Sequence, residues 1–339
     1  MTQDALLNVT GLSKTYTGAP SLVARMLGRK PVHVRAVSDV SLNVARGEIL
    51  GLIGESGCGK STLGRAILRL HEPTAGRVEF DGTDITALPA PEMKAMRRRM
   101  QIIFQDPYAS LNPRRTVADI VGLPLQLHGL VKTRAQAREM VAMMLEKVGL
   151  KASQVDRYPH QFSGGQRQRI GIARALISNP EFVVCDEPVS ALDVSIQAQI
   201  IQLLIDLKRE FSLTYLFISH DISVIGYLSD RVAVMYLGEI VEMGPVESIL
   251  ARPRHPYTQS LMSAVPEVEA SAQTQRVRLS GDLPSPLNPP SGCKFHTRCP
   301  LATDICRQRA PDTESVGIGH TAACHRLAEN LSLLEGTSA

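Results

Sequence analysis

An α/β fold is predicted for this 339-residue chain by three observations. Short β-rich apolar runs alternate with longer helical patterns from Leu6 to about Arg252. A glycine-rich loop, Gly54-Glu-Ser-Gly-Cys-Gly-Lys60-Ser61, stands between an apolar run and a helical pattern. The apolar run Phe182-Val-Val-Cys185 ends in two carboxylates, Asp186 and Glu187. The composition agrees with a folded chain. At 44% hydrophobic and 21% charged residues it matches soluble globular proteins and excludes disordered, collagen-like and coiled-coil classes. With 37 Lys plus Arg against 33 Asp plus Glu, the net charge is only +4, so no nucleic-acid partner is expected.

In chain order, strands are predicted at Ile49 to Ile53, Gln101 to Phe104, Phe182 to Cys185, Tyr215 to Ile218 and Val232 to Tyr236. Between them Met140, Val141, Met144, Leu145 and Val148 share one helical face, as do Ile200, Leu203, Leu204 and Leu207; both stripes are candidate core. Residues 105–178 carry three helical patterns and no strand, a helical subdomain inserted between sheet strands. The insertion Pro20 to Val34 reads as a hairpin extension, with membrane-surface contact as the other reading, and Arg97-Arg98-Arg99 as a solvated face. After Ile249 the texture changes to a proline-rich tract and a cysteine cluster. The predicted organisation is therefore a domain over 1–252 and an extension over 253–339. No run reaches the roughly 20 apolar residues of a membrane span, and the N-terminus has no secretory pattern. The cytosol is the expected compartment.

The loop fits G-x4-G-K-S/T. A strand feeding such a loop into a helix start points backbone N–H groups at an anion, and glycines permit close approach. Lys60 would reach the β- and γ-phosphates, and the Ser61 hydroxyl would ligate Mg²⁺. Asp186 and Glu187, adjacent at a strand end, point in different directions. Asp186 can then serve the Mg²⁺ shell while Glu187 orients or deprotonates water. Cys185 is assigned to the core and Cys58 to a small position beside the phosphates. A second glycine-rich helix start, Ser163-Gly164-Gly165-Gln166, offers another anion site.

These motifs, with Gln105 after its strand, Ser190-Ala-Leu-Asp193 and His220, resemble in order and spacing the ATP-binding subunit of ABC transporters. The resemblance implies a P-loop NTPase of ABC type with a helical subdomain and a small C-terminal extension, acting as a transport ATPase. ATP would be held by Gly54, Glu55, Ser56, Gly57, Cys58, Gly59, Lys60, Ser61 and Thr62, with Tyr16 stacked on adenine. Mg²⁺ would be held by Ser61, Gln105 and Asp186. Glu187 would be the base, His220 would contact the γ-phosphate, and Gln105 would sense it. Ser163, Gly164, Gly165 and Gln166 would bind the ATP of a second subunit, linked through Asp193. One loop and one signature per chain imply a dimer, with a sister ATPase or with itself.

The tracts Phe104-Gln-Asp106-Pro-Tyr-Ala-Ser-Leu-Asn112-Pro, Arg254-His-Pro-Tyr257-Thr and Leu283-Pro-Ser-Pro through Cys299-Pro resemble the dipeptide, oligopeptide and nickel importer branch, in its second ATPase. This implies a peripheral subunit on the cytoplasmic face of a bacterial inner membrane. It would serve two permease subunits and an extracytoplasmic solute-binding protein. The peptide reading leads; nickel or another small solute stays open. A non-transport ABC ATPase is disfavoured by the single copy of each motif and the absence of a long coiled coil between residues 62 and 162.

Cys293, Cys299, Cys306 and Cys324 are spaced C-x5-C-x6-C-x17-C, unlike zinc ribbons or bacterial ferredoxins. A 4Fe–4S cluster is expected ahead of Zn²⁺, with reduced free thiols as the remaining alternative.

Overall fold

The computed structural model describes residues 5–18, 32–263 and 284–328. The chain divides into two units, interleaved in sequence. One draws on Met1–Leu7, Val44–Ile49 and Phe80–Ser219, the other on Asn8–Asn43, Leu50–Glu79 and His220–Ala339. Residues 19–31, most of the Pro20 to Val34 insertion, lie outside the described residues.

In the first unit three parallel strands, Met100–Ile103, Phe182–Asp186 and Thr214–Ile218, lie side by side with Met100 opposite Phe182 and Phe182 opposite Thr214. The last two are buried at every residue, as parallel strands covered on both faces must be. That is why they read in the sequence as unbroken apolar runs. Residues 105–178 contain no strand. They hold the single turn Pro107–Ser110 and the helices Val117–Leu127, Arg134–Lys147 and Gly164–Leu176. Thr116 and Thr133 cap two of these by accepting from the N–H groups of Asp119 and Gln136. Val117–Leu127 packs on both other helices, burying Val121, Leu125, Val141, Leu145 and Ile170. Met144 and Val148 are buried as their stripe predicts, and so are Ile200, Leu204 and Leu207; Met140 and Leu203 are half-buried at the stripe edges.

The Arg97-Arg98-Arg99 run is only partly a solvated face. Arg99 lies over the Phe80 ring at 4.9 Å and, with Arg46, pairs with both Asp81 and Glu181. The Arg99 hydrogen bonds hold both carboxyls below their ordinary range.

In the second unit Leu50–Ile53 runs parallel to Arg231–Tyr236, which returns antiparallel as Glu239–Pro245. The strand His320–Ala322 pairs on Glu239–Pro245, with Glu242 opposite Ala322, and Glu314–Gly317 pairs on His320–Ala322. The C-terminal extension thus continues this unit's sheet, and its Phe295 is 1% exposed. Among the described residues no helix is long and apolar enough to cross a membrane.

Candidate functional site

Strand Ile49–Ile53, buried throughout, delivers the chain to Gly54, and the helix Lys60–Ile67 begins at the end of the loop. Two glycines are sterically required. A Cβ on Gly54 would lie 2.2 Å from the Met235 carbonyl oxygen, and one on Gly59, at φ +111°, 2.1 Å from that of Ala36. No side chain caps the helix start, which leaves its first N–H groups for an anion. The Lys60 ammonium, in a residue only 4% exposed, donates to the carbonyls of Gly54 at 2.7 Å and Glu55 at 3.0 Å. Cys58 is buried, and burial raises its thiol above the ordinary value, so it is a neutral neighbour of the loop. Ser61 and Thr62 are half-buried in the first helical turn, and Ser56 and Gly57 are exposed.

In the same unit Tyr16 is half-buried. It meets His71 edge-on at 5.8 Å, with the Lys14 ammonium 5.1 Å from its ring centre. His220 is exposed, one residue before Asp221, which caps Ile222–Leu228.

In the first unit Asp186 is fully buried at the end of its strand. Glu187 follows with φ +47°, a left-handed backbone that costs a non-glycine residue of the order of 1 kcal/mol. It is held there on both sides: its N–H donates to Ile218 O at 3.1 Å, and its own carbonyl accepts from Ser190 Oγ at 3.1 Å. Its carboxylate accepts from Gln105 Nε2 at 2.8 Å. Glu187 and Gln105 therefore form one hydrogen-bonded pair, although 82 positions separate them. Asp106 turns the chain after Gln105 by accepting from the N–H groups of Tyr108 and Ala109.

Ser163 starts the helix Gly164–Leu176 within a capping box. Its Oγ accepts from the Gln166 N–H at 3.3 Å, and Gln166 Oε1 accepts from the Ser163 N–H at 3.1 Å. Ser163 is exposed, Gly164, Gly165 and Gln166 half-buried, and Asp193 is exposed at the start of Val194–Phe211. The left-handed turn at Glu187 and the capping box at Ser163 follow from tertiary packing and from a local Ser-x-x-Gln pattern respectively; only the second has a sequence signal.

Cys293, Cys299, Cys306 and Cys324 line one small cavity together with Phe295 and His296. All four are free thiols. Burial pushes Cys293 up to about 12 and Cys299 up to about 11. Among the described residues no group of three or more His, Cys, Asp or Glu is placed to hold a metal ion. The expected iron–sulfur or Zn²⁺ centre is therefore not supported. Sequence motifs also missed two groups that touch the phosphate loop, Tyr257 and Arg298, because they lie more than 200 positions from Glu55.

Residues 37–190 match the family model described as ABC transporter, and residues 241–306 match that of the oligopeptide/dipeptide transporter C-terminal region. The chain is 52% identical over 326 residues to a putative peptide import ATP-binding protein of Brucella ovis, covering 96% of this chain and 99% of that one. It is 49% identical to the oligopeptide transport ATP-binding protein AppF of Bacillus subtilis, over 95% of this chain and 98% of the relative. Among solved structures it resembles a dimeric ATP-binding cassette in a post-hydrolysis state bound to ADP and Pi, at 30% identity and a TM-score of 0.62, over 71% of this chain and 98% of the other. With its loop, carboxylate pair and signature helix in place over nearly the full length of such relatives, the chain belongs to the ATP-binding proteins of ABC transporters and is an ATPase of that type.

Proposed function

We propose that this ATPase energises import of dipeptides or oligopeptides. The observation that carries the reading is the full-length likeness to peptide import ATP-binding proteins, joined to the C-terminal region match. Residues 1–252 form the ATPase domain, with its helical subdomain over 105–178, and 253–339 the extension. The chain works as a peripheral subunit at the cytoplasmic face of a bacterial membrane, beneath two permeases that an extracytoplasmic binding protein supplies. Its dimer partner is a sister ATPase or a second copy.

The residue roles are those the family resemblance implies, and the donor chemistry of the side chains suits them. The loop from Gly54 to Thr62 and the Lys60 ammonium receive the phosphates, drawing Lys60 from the two carbonyls it now contacts. The hard oxygens of Ser61 and Asp186, with Gln105, suit Mg²⁺, which supplies charge neutralisation at the phosphates. Glu187 takes the proton of the attacking water, and Gln105 aligns its carboxylate. His220 contacts the γ-phosphate, and Tyr16 stacks on the adenine once Lys14 yields the ring face. Ser163, Gly164, Gly165 and Gln166 bind the nucleotide of the partner subunit, with Asp193 linking the two sites. Ser163 Oγ can donate its hydroxyl proton to that ligand while it still accepts from the Gln166 N–H.

In the extension, the four free thiols that line one cavity are the residues a 4Fe–4S cluster would use ahead of Zn²⁺, because each corner of a cluster takes one cysteine, although they are not grouped to hold a metal ion. Iron and acid-labile sulfide measured on anaerobically purified chain test this; neither at stoichiometric level ends it. For the transport role, cells lacking this chain should lose uptake of labelled di- and oligopeptides. Wild type should restore it and Glu187→Gln should not. Peptide uptake intact with nickel uptake lost would move the cargo to the metal branch.

A further inference from the structure

The loop that takes the phosphates is held from the C-terminal extension, through Glu55. All three polar parts of Glu55 are engaged. Its carboxylate accepts a bidentate pair from the Arg298 guanidinium, at 2.6 and 3.0 Å. Its backbone N–H donates to the Tyr257 hydroxyl at 2.8 Å. Its carbonyl accepts from Lys60 Nζ at 3.0 Å. The Arg298 side chain is 5% exposed and that of Glu55 25%, so the pair is weakly screened and its fork geometry fixes direction as well as distance.

A second contact braces the other end of the loop. Gly238 N–H donates to the Cys58 carbonyl at 2.8 Å. The neighbouring Leu237 carbonyl accepts from Lys294 Nζ at 2.8 Å, and Lys294 pairs with Glu239 at 2.9 Å. Lys294 and Arg298 belong to one turn, anchored between them by Phe295 among Tyr236, Tyr257 and His255. Nothing in the G-x4-G-K-S pattern asks for these groups: they add a constraint that a phosphate loop does not need in order to exist.

We propose that Arg298 is a positioning residue for nucleotide binding, assisted by Tyr257. Acting through Glu55, it keeps the backbone of the loop in the conformation that receives phosphate, so that ATP affinity depends on the C-terminal extension. The inference rests on reading Gly54–Ser61 as the nucleotide site. A loop released from the brace populates its competent conformation less, and apparent affinity falls in proportion to that population. The bound state, once formed, is unchanged, so turnover at saturating ATP is spared.

The test is equilibrium binding of Mg-ADP, with KM for ATP and kcat, on the full-length chain in its assembled complex. Arg298→Ala is expected to weaken Mg-ADP and raise KM by about tenfold, with kcat within about twofold, for loss of a charge-assisted pair. Glu55→Gln should do the same, the double variant should be no weaker than either single, and Tyr257→Phe should give a smaller shift in the same direction. Arg298→Lys should recover part of the loss. If Arg298→Ala does not fold, Glu55→Gln reads the same pair from its more exposed side. Affinity within twofold of wild type in a variant whose melting temperature is unchanged overturns the proposal, as does a loss confined to kcat. Lys60→Ala run in parallel separates the two readings. Lost binding there with Arg298→Ala unaffected removes only the brace, whereas wild-type binding in Lys60→Ala removes the site itself.

Discussion

Gly54 and Gly59 show how far single residues decide the phosphate loop. At both positions a methyl group would meet a backbone carbonyl at close to 2 Å, and a backbone atom has no rotamer to retreat into. Gly54→Ala or Gly59→Ala should therefore shift the loop, destabilise the chain by about 1–3 kcal/mol and abolish measurable nucleotide binding. Thermal melting and ATP titration of the same preparation check both effects. The need for glycine is legible in the motif. The obstacles are not, since Met235 and Ala36 are brought there by the fold. Glu187 is the opposite case: the motif names the residue, but nothing local announces its left-handed backbone. That conformation is held by Ile218 from a neighbouring strand and by Ser190.

The elements that the sequence made legible are those with one dominant driving force. The five predicted strands all occur, with ends displaced by no more than one residue; apart from Met100–Ile103, which carries Gln101 and is half-buried at two positions, they are predicted from continuous apolar runs that leave a buried strand no alternative. The strand Glu239–Pro245 was hidden by Glu242 in its middle, a residue that is 1% exposed. Its carboxylate is satisfied from the extension: it accepts from the N–H groups of Arg254 and His255 at 2.7 and 2.8 Å and pairs with His320 Nε2 at 2.7 Å.

His255 also starts the helix Pro256–Met262, its Nδ1 accepting from the Tyr257 N–H at 3.1 Å. That acceptor must be unprotonated, and burial lowers the imidazole from 6.5 to about 4, against the opposing charge of Glu242. A group neutral when folded and depressed in pKa contributes stability above its unfolded value and loses it as pH falls. Unfolding free energy should thus decline between pH 6.5 and 4, by on the order of 3 kcal/mol from this residue. His255→Asn, which keeps an acceptor for the cap, should flatten that part of the curve in denaturant titrations. An undiminished slope in His255→Asn would assign the acid sensitivity elsewhere.

At the scale of the whole molecule, the extension is more than a tail. Composition and cysteine spacing predict a small proline-rich extension with a cysteine cluster. The structure instead extends the sheet of the second unit with His320–Ala322 and seats Phe295 5.2 Å from Tyr236. Short pairings of three or four residues carry too little pattern to be read without their partner strand. Ending the chain after Ala251 would expose Tyr236 and remove the donors from the buried Glu242 carboxylate. Loss of these charge-assisted hydrogen bonds and of the aromatic packing around Tyr236 costs at least about 1–3 kcal/mol, so the truncated chain should melt several degrees lower in calorimetry.

The central claim is that this ABC-type ATPase hydrolyses ATP with Glu187 as base, aligned by Gln105. Mg-ATP turnover by the assembled complex carrying Glu187→Gln tests it most directly. The amide cannot accept the proton of water, so turnover should fall by at least about a hundredfold while ATP stays bound. Hydrolysis at the wild-type rate would contradict the account.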